Sequence, residues 1–263
     1  MDLQVKDKVF MVAAASKGLG FGVARELAKN GAIVCISSRT KEEIEQAAQE
    51  LAKETGAIVF PFAMDASSGK SILLWRDAVA DKFGWIDGLL VNAGGPPAGS
   101  FGDFSDDDWQ QAFNLTLMGA VRMIRAVLPA MKKQQKGSIA TVTSLSVKEP
   151  IDRLLLSNVF RSGVASLVKS LATELAPYHI RVNNLMPGRI DTDRLRALDE
   201  SIAKQSGQQL SEVQKQITGK IPLGRYGTTE EFGKAGAFLL SDAASYITGA
   251  SLQVDGGLVR TVW

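Results

Sequence analysis

The segment AAASKGLGFG sets Gly18, Gly20 and Gly22 at alternate positions behind Lys17. Glycines so spaced let a chain turn tightly and bring its backbone against a pyrophosphate. The helix that follows (Val23, Leu27) then aims its positive dipole end at the anion. Taken alone, the cluster is equally a device for close helix packing. Downstream, the run AIVCISSRT ends in Ser38 and Arg39. A carboxylate at such a strand end would accept the two hydroxyls of an adenosine ribose, whereas a guanidinium forks onto a 2′-phosphate. Arg39, with Lys17 as a second cation, therefore favours NADP over NAD. The alternative is that both are solvated surface cations. A competing phosphate motif, SSGKS (Ser67 to Ser71), fails on spacing. Met64 stands where a triphosphate-binding loop needs its first glycine, and the segment reads as a helix start.

A third group shares one helix. Val164, Val168, Leu171 and Leu175 form an apolar stripe, and stepping back by three and four residues places Arg161 and Ser157 on the same inward face. An inward arginine near a helix start needs a partner or a ligand. A carboxylate such as Asp152 or Glu149 is one candidate, and a bound cofactor is the other.

The elements that must position these groups are visible in the hydropathy pattern. Runs of strand length recur at KVFMVA, AIVCIS, AIVFPF, GLLVNA, SIATVTS, RVNNLM and SLQVDG, alternating with segments of helical period. After Arg39, the residues Ile44, Ala47, Ala48, Leu51 and Ala52 mark one face of an amphipathic helix. Strands that are continuous Val/Ile/Leu runs are buried on both faces, as in a parallel sheet covered by helices on each side. The expectation is one α/β domain over residues 1–263, with a doubly wound sheet of about seven strands. The polar stretch from Arg189 to Thr228 is the one irregular segment. It is longer than an ordinary connection and is read as a substrate lid.

Composition removes several function classes. The 263 residues carry 30 basic and 28 acidic side chains without a run of like charge, which leaves no electrostatic footprint for nucleic acid or an anionic membrane. A small molecule is the expected partner. One cysteine, Cys35, and one histidine, His179, cannot build a disulfide framework or a Cys/His zinc site, and no metal is expected. A reducing cytoplasm suits such a chain. No apolar stretch is long enough to span a bilayer. The run from Val9 to Ala15 is assigned to a buried strand rather than a signal-peptide core, because Asp2 and Asp7 occupy its flank. His179 precedes the sixth strand in a segment like a surface turn, which argues against a Ser-His-Asp hydrolase. Trp109 and Phe113, at helical spacing, are assigned to the core.

Taken together, these motifs resemble the short-chain dehydrogenase/reductase family over nearly the whole length, most nearly its 3-oxoacyl-[acyl-carrier-protein] reductase-like members. Besides the glycine turn, VNAGG holds Asn92, Ala93 and Gly94, DWQQAFNLT holds Asn114, TVTS holds Ser144, MPGRIDT holds Pro187, Gly188, Ile190 and Thr192, and YITGASLQVDGG closes the pattern. The resemblance implies a Rossmann-like fold, a small-molecule substrate and a homotetramer or homodimer, in which Trp263 would pack on a neighbouring subunit. It implies that Asn114 and Ser144 are catalytic. It further implies that Ala14, Ser16, Lys17, Gly18, Leu19, Gly20, Ser38, Arg39, Asp65, Asn92, Ala93, Gly94, Pro187, Gly188, Ile190 and Thr192 bind NADP(H), with Asp65 at the adenine. The family's tyrosine and lysine fall on Ser157 and Arg161, so these two are the remaining catalytic candidates, and Arg161 is also assigned to the cofactor. The first glycine of the family's turn is Ala14, after Ala13 in place of threonine.

A serine hydroxyl is a far weaker acid than a phenol, which titrates near 10. It is also shorter, so Ser157 would reach the same oxygen only through a water or a shifted substrate. Arg161 keeps a cation at the lysine position but gives up no proton. Lys148, Glu149 and Arg153 follow the serine strand and are candidates to line the pocket, with Lys148 a possible substitute acid; the alternative, favoured for each, is a solvated loop. The expectation is an NADPH-dependent reductase of a carbonyl or conjugated carbonyl, the second tolerating the missing phenol better. The alternative is an NADP-binding protein of dehydrogenase ancestry without catalysis.

Overall fold

The computed structural model describes residues 1–262, and the packing assigned to Trp263 lies outside them. The strands are β1 (Val9–Val12), β2 (Ile33–Ser38), β3 (Val59–Ala63), β4 (Gly88–Val91), β5 (Gly137–Val142), β6 (Ile180–Pro187) and β7 (Ser251–Val254). They pair in the order β3-β2-β1-β4-β5-β6-β7, and every pairing is parallel. Parallel neighbours need crossovers, and helices supply them. The helices are α1 (Gly18–Lys29), α2 (Lys41–Thr55), α3 (Gly69–Phe83), α4 (Asp106–Ala112), α5 (Gly119–Gln134), α6 (Leu155–Leu175), α7 (Asp193–Ser206), α8 (Leu210–Thr218) and α9 (Thr229–Leu240).

Both sheet faces are covered. Phe10 and Val12 enter one core with Leu27, Ile44, Leu51 and Phe232, while Val9 and Met11 enter the other with Trp75, Val79, Met123 and Val168. This alternation within one short apolar run is the period of two expected for a strand buried on both sides. The chain winds outward from β1 to β3 and then returns to β4 on the other side of β1. That reversal opens a crevice beyond the carboxyl ends of β1 and β4.

Gly22 serves packing. A Cβ there would strike the Thr229 carbonyl oxygen, and one at Gly233 would strike the Gly22 carbonyl oxygen, so α1 and α9 cross at backbone contact. The segment SSGKS is a helix start, with Ser68 Oγ accepting from the Ser71 N–H at 3.3 Å at the head of α3.

Two sequence expectations need correction. The stretch from Arg189 to Thr228 is helical over much of its length, holding α7 and α8. Its signals were local: Thr192 Oγ1 accepts from the Leu195 N–H, Gly207 ends α7 at a φ of 67°, and Gln209 with Glu212 forms a capping box for α8. Its ends are pinned by a bridge between Ile190 and Gly227 and by buried Asp199, which accepts from Arg189 at 2.9 Å and Tyr226 at 2.8 Å. Trp109 and Phe113, assigned to the core, are half-buried at its margin: Trp109 meets Phe160 edge-on and Phe113 is tilted to it, in a small apolar cluster with Ala112 and Leu156 beside the two main cores.

Candidate active site

At the crevice, β1 runs into a turn in which Ala14 adopts a φ of 49° and Gly18 a φ of 65°. The left-handed region is unfavourable for alanine and free for glycine. A Cβ at Gly20 would collide with the Ala14 carbonyl oxygen, so this position requires glycine for the turn itself. Lys17 caps α1 without a side-chain hydrogen bond, and the first turn holds no acid. The leading N–H groups of α1 are thus open toward the crevice, where their partial positive charge favours an anion.

The cleft beyond this turn has a volume of about 600 Å³, within the range of small-molecule sites. Of the residues singled out from the sequence, Ala14, Ser16, Lys17, Gly18, Leu19, Ser38, Arg39, Asn92, Ala93, Gly94 and Thr192 line it. Asn92 is buried and donates from Nδ2 to the Ala14 carbonyl at 3.3 Å, tying the end of β4 to the turn. Arg39 stands exposed at the lip and forms no ion pair among the described residues. Lys17 is paired with Asp193 at 3.2 Å, so the two cations of the sequence reading are in different states. This cleft suits a dinucleotide: an amide-lined turn where a Cβ would not fit, an open helix terminus and an unpaired guanidinium at the lip.

Several other candidates stand behind or beside the cleft. Asp65 is exposed and binds the Ser67 N–H and hydroxyl, while its neighbours Met64 and Ala66 form the wall. Gly188 packs on Asp255, Pro187 ends β6 beside Val254, and Ile190 is buried. The sequence reading missed Thr40, Glu43, Gly95, Leu115, Asp191, Asp193, Arg194, Arg196 and Thr229, which also line the cleft. Tertiary folding brings them there, and only the helix-cap pattern around Thr192 and Thr228 could have hinted at the last five.

Ser144 follows β5 and caps the short helical turn Leu145–Val147, its Oγ accepting from the Ser146 N–H at 3.1 Å. Arg161 reaches the same strand end: Nη1 donates to the carbonyls of Val142 at 2.9 Å and Thr143 at 3.1 Å, while Nε donates to Ser157 Oγ at 3.1 Å. The helix phase is thereby borne out, and Ser157, Arg161 and the strand carrying Ser144 are brought together. Of the two partners the sequence left open for Arg161, neither Asp152 nor Glu149 is taken; the guanidinium is held by carbonyls and a hydroxyl. Burial, and then the charge of Arg194, lower its pKa to about 10.

Behind Arg161 lies a cavity of about 20 Å³, lined by Asn92, Ala93, Gly94, Thr116 and Val164 among others. Thr116 Oγ1 is buried there without a protein partner. Thr116 sits in the π-helical stretch Phe113–Met118 between α4 and α5, an irregularity that favours functional sites. Asn114 is the second residue of the same stretch, and its Oδ1 accepts from Arg122 at 3.5 Å. A second depression, of about 600 Å³, has Leu145, Ile151, Leu258 and Val259 on its walls and Glu149, Lys220 and Arg260 at its rim. Lys148 lies outside both clefts, and Arg153 donates to Gln205 at 3.0 Å.

No histidine, cysteine or tyrosine lines the main cleft. His179 is exposed, at the amino-terminal end of the sheet. Cys35 is buried, and its thiol is pushed up to about 12 by desolvation. Tyr226 donates to Asp199, and burial holds its phenol above the usual range. Among the described residues no cluster of acids, histidines or cysteines could hold a metal ion, and no helix is long and apolar enough to cross a membrane.

Comparison with known proteins agrees with this geometry. The family described as enoyl-(acyl carrier protein) reductase matches residues 13–259. The chain is 36% identical over 261 residues to an L-rhamnose 1-dehydrogenase (NAD(P)+) of Azotobacter vinelandii, covering 96% of each chain. It is 31% identical over 259 residues to a 3-oxoacyl-[acyl-carrier-protein] reductase of Aquifex aeolicus, covering 98% of this chain and all of the relative. Among solved structures, L-sorbose reductase from Gluconobacter frateurii, complexed with NADPH and L-sorbose, superposes with a TM-score of 0.94 at 28% identity over 100% of both chains.

Proposed function

The chain belongs to the short-chain dehydrogenase/reductase family, and from that premise we propose that it is an NADPH-dependent reductase of conjugated carbonyl compounds. The observation that carries this reading is the arrangement around Arg161. The guanidinium is fixed at the end of β5 and bonded to Ser157. The main cleft presents no phenol, imidazole or thiol to donate a proton.

NADPH supplies a hydride when bound, and the residues that would hold it are Ser16 to Gly20, Ser38, Arg39, Asn92 to Gly94 and Thr192. Arg39 supports the phosphorylated cofactor, since a guanidinium without a protein ion pair matches a 2′-phosphate. Reduction of a simple ketone wants a proton at the oxygen as it becomes an alkoxide. Reduction of an enone does not. A hydride supplied by the bound cofactor would form the new C–H bond at the β-carbon, the C=C π pair would become a double bond between the α-carbon and the carbonyl carbon, and the C=O π pair would move to oxygen, giving an enolate. Solvent water then returns one proton to the α-carbon.

What this chain's residues must do is hold negative charge on an oxygen. Ser144 and Ser157 hydroxyls donate hydrogen bonds, and Arg161 keeps a positive charge beside them. The apolar depression next to Leu145 suits the body of the substrate, and the segment 189–228 acts as its cover within a single catalytic domain. Stopped-flow oxidation of NADPH with matched ketones and enones tests the reading. Enones are expected to be turned over with the larger kcat/KM, and turnover of ketones alone would overturn it. Binding of NADPH without turnover of either class would make the chain a nucleotide-binding protein.

A further inference from the structure

We infer that the substrate is an amphiphile: an apolar chain that fills the depression beside Leu145 and ends, away from the reacting carbonyl, in an anionic group met by Lys220 and Arg260. This deepens the proposed reductase reading and rests on it for the identity of the reaction, though not for the binding of the chain or of its charge.

One space of ligand size, about 600 Å³, holds all the groups concerned: Leu145, Ile151, Leu258 and Val259 on its walls, Lys220 and Arg260 at its rim. Each wall is fixed by hydrogen bonds. Leu145 is buried and directly follows Ser144, whose Oγ accepts from the Ser146 N–H at 3.1 Å. Ile151 is clamped by the Asn158 side chain, which donates from Nδ2 to its carbonyl at 3.0 Å and accepts at Oδ1 from its N–H at 3.4 Å. Asn158 follows Ser157 on α6. Two walls therefore start from Ser144 and Ser157, the hydroxyls assigned to the substrate's oxygen. On the far side, the Asp255 carboxylate accepts from the N–H groups of Gly257 at 2.9 Å and Val259 at 3.0 Å. The Leu223 N–H donates to the Gly256 carbonyl at 3.2 Å and ties the segment carrying Lys220 to this turn.

The walls are apolar and half-buried or buried, apart from exposed Pro150, whereas Lys220 and Arg260 are exposed. Glu149 is the one acid at the rim, and none of these three charges belongs to an ion pair among the described residues. Arg225, in the same segment as Lys220, is by contrast held by Glu231 at 2.9 Å and 2.6 Å. Two cations against one acid leave the rim positive. A neutral chain would gain only the burial of the walls, and a cationic end would meet two like charges. An anionic end gains both terms, and the apolar walls beside it strengthen the attraction. A guanidinium forks onto a carboxylate or a phosphate, and an ammonium serves either as a point charge.

The anion is not one of the cofactor's phosphates, because the depression and the dinucleotide cleft share no lining residue. The strand order gives the direction of the chain. β5 leads into Ser144 and Leu145, and its neighbour β4 ends at Asn92 to Gly94 of the cofactor cleft. The reacting end thus points toward β4 and the charged end toward the rim.

The test is calorimetry on the full chain with NADP present, using octanoate, octyl phosphate, octan-1-ol and octylammonium as probes. One of the anions is expected to bind about fivefold or more tightly than the alcohol, the size that two partly screened charged contacts give. The tighter anion names the headgroup. That preference should vanish in the double variant Lys220→Gln, Arg260→Gln and shrink in about 1 M sodium chloride. Both residues are exposed, so the double variant folds as the parent does. Leu258→Asn should weaken all four probes alike. Equal binding of anions and alcohol would overturn the inference, as would tightest binding of octylammonium, which would give the rim to Glu149. Binding untouched by Leu258→Asn would put the chain elsewhere and overturn it too. Turnover of 9-oxodec-7-enoate and its methyl ester separates the two readings. Reduction of both at equal kcat/KM would leave the reductase standing and remove the charged end, whereas octanoate binding that needs Lys220 and Arg260, without turnover of either enone, would sustain the site and sink the reaction.

Discussion

Replacing Arg161 by leucine should cost the fold little and the reaction nearly everything. Burial and the charge of Arg194 lower the guanidinium from 12.5 to about 10. For a base, a folded-state value below the unfolded one is a penalty: it is fully present below about pH 10 and is relieved only as pH rises toward 12.5. At neutral pH the lowering corresponds to about 3 kcal/mol of destabilisation. Against it stand the bonds to Val142, Thr143 and Ser157, each worth about 1 kcal/mol net. The two sides nearly cancel. Leucine removes both, so unfolding by urea should give a stability within about 2 kcal/mol of the parent, where breaking a compensated buried ion pair costs about 3–5 kcal/mol. NADPH oxidation with an enone should fall at least about a hundredfold, as when a charge stabiliser of an oxyanion is lost. A destabilisation above about 3 kcal/mol would show that the arginine is a structural clamp, and retained turnover would remove it from the chemistry.

Other perturbations follow from the same geometry. Arg39→Ala should reduce the preference for NADPH over NADH by about tenfold or more, read by tryptophan-to-nicotinamide energy transfer, because the exposed guanidinium is the unpaired cation at the cleft lip. Ala14→Gly should raise stability by about 1 kcal/mol, seen as a higher thermal midpoint, because alanine at a φ of 49° is strained where glycine is not. Glu231 is lowered to about 2 by its hydrogen bonds to Arg225 and the Thr228 N–H. Its contribution is present above the ordinary carboxylate value of 4.5 and is lost as pH falls toward 2, so Glu231→Gln should flatten acid unfolding over that window. Cys35, buried and pushed up to about 12, should resist thiol reagents in the native protein and react only after unfolding.

The sheet was legible because its information is local. Val9 to Val12 alternate between two cores, and that alternation with the glycines behind it already says buried parallel strand followed by phosphate turn. Ser157 and Arg161 were legible for the same reason, since helix phase alone turns them inward. The helices within 189–228 escaped because the segment is polar and α7 buries only Asp199 and Ala203 among its residues. Its start and stop lay in Thr192 and Gly207, capping residues that say where a helix ends but not that one exists.

Arg194 was illegible for a deeper reason. Nothing in TDRLRALDE distinguishes it from Arg196, two residues on, which is paired to Asp191 and solvent-facing. The difference arises from the fold: the bridge between Ile190 and Gly227 fixes the base of the segment, Thr192 caps α7, and one arginine then reaches the carbonyls of the Gly95 loop while the other, on the same cleft, is paired with Asp191. Charge that shapes a ligand is therefore set by which cation is left without a partner after folding. The two cations named from sequence illustrate the same point, since Lys17 is neutralised by Asp193 and Arg39 is not. In this cleft Arg39 is left without an ion-pair partner among the described residues, and Arg194 donates only to the carbonyls of Gly95 and Pro96.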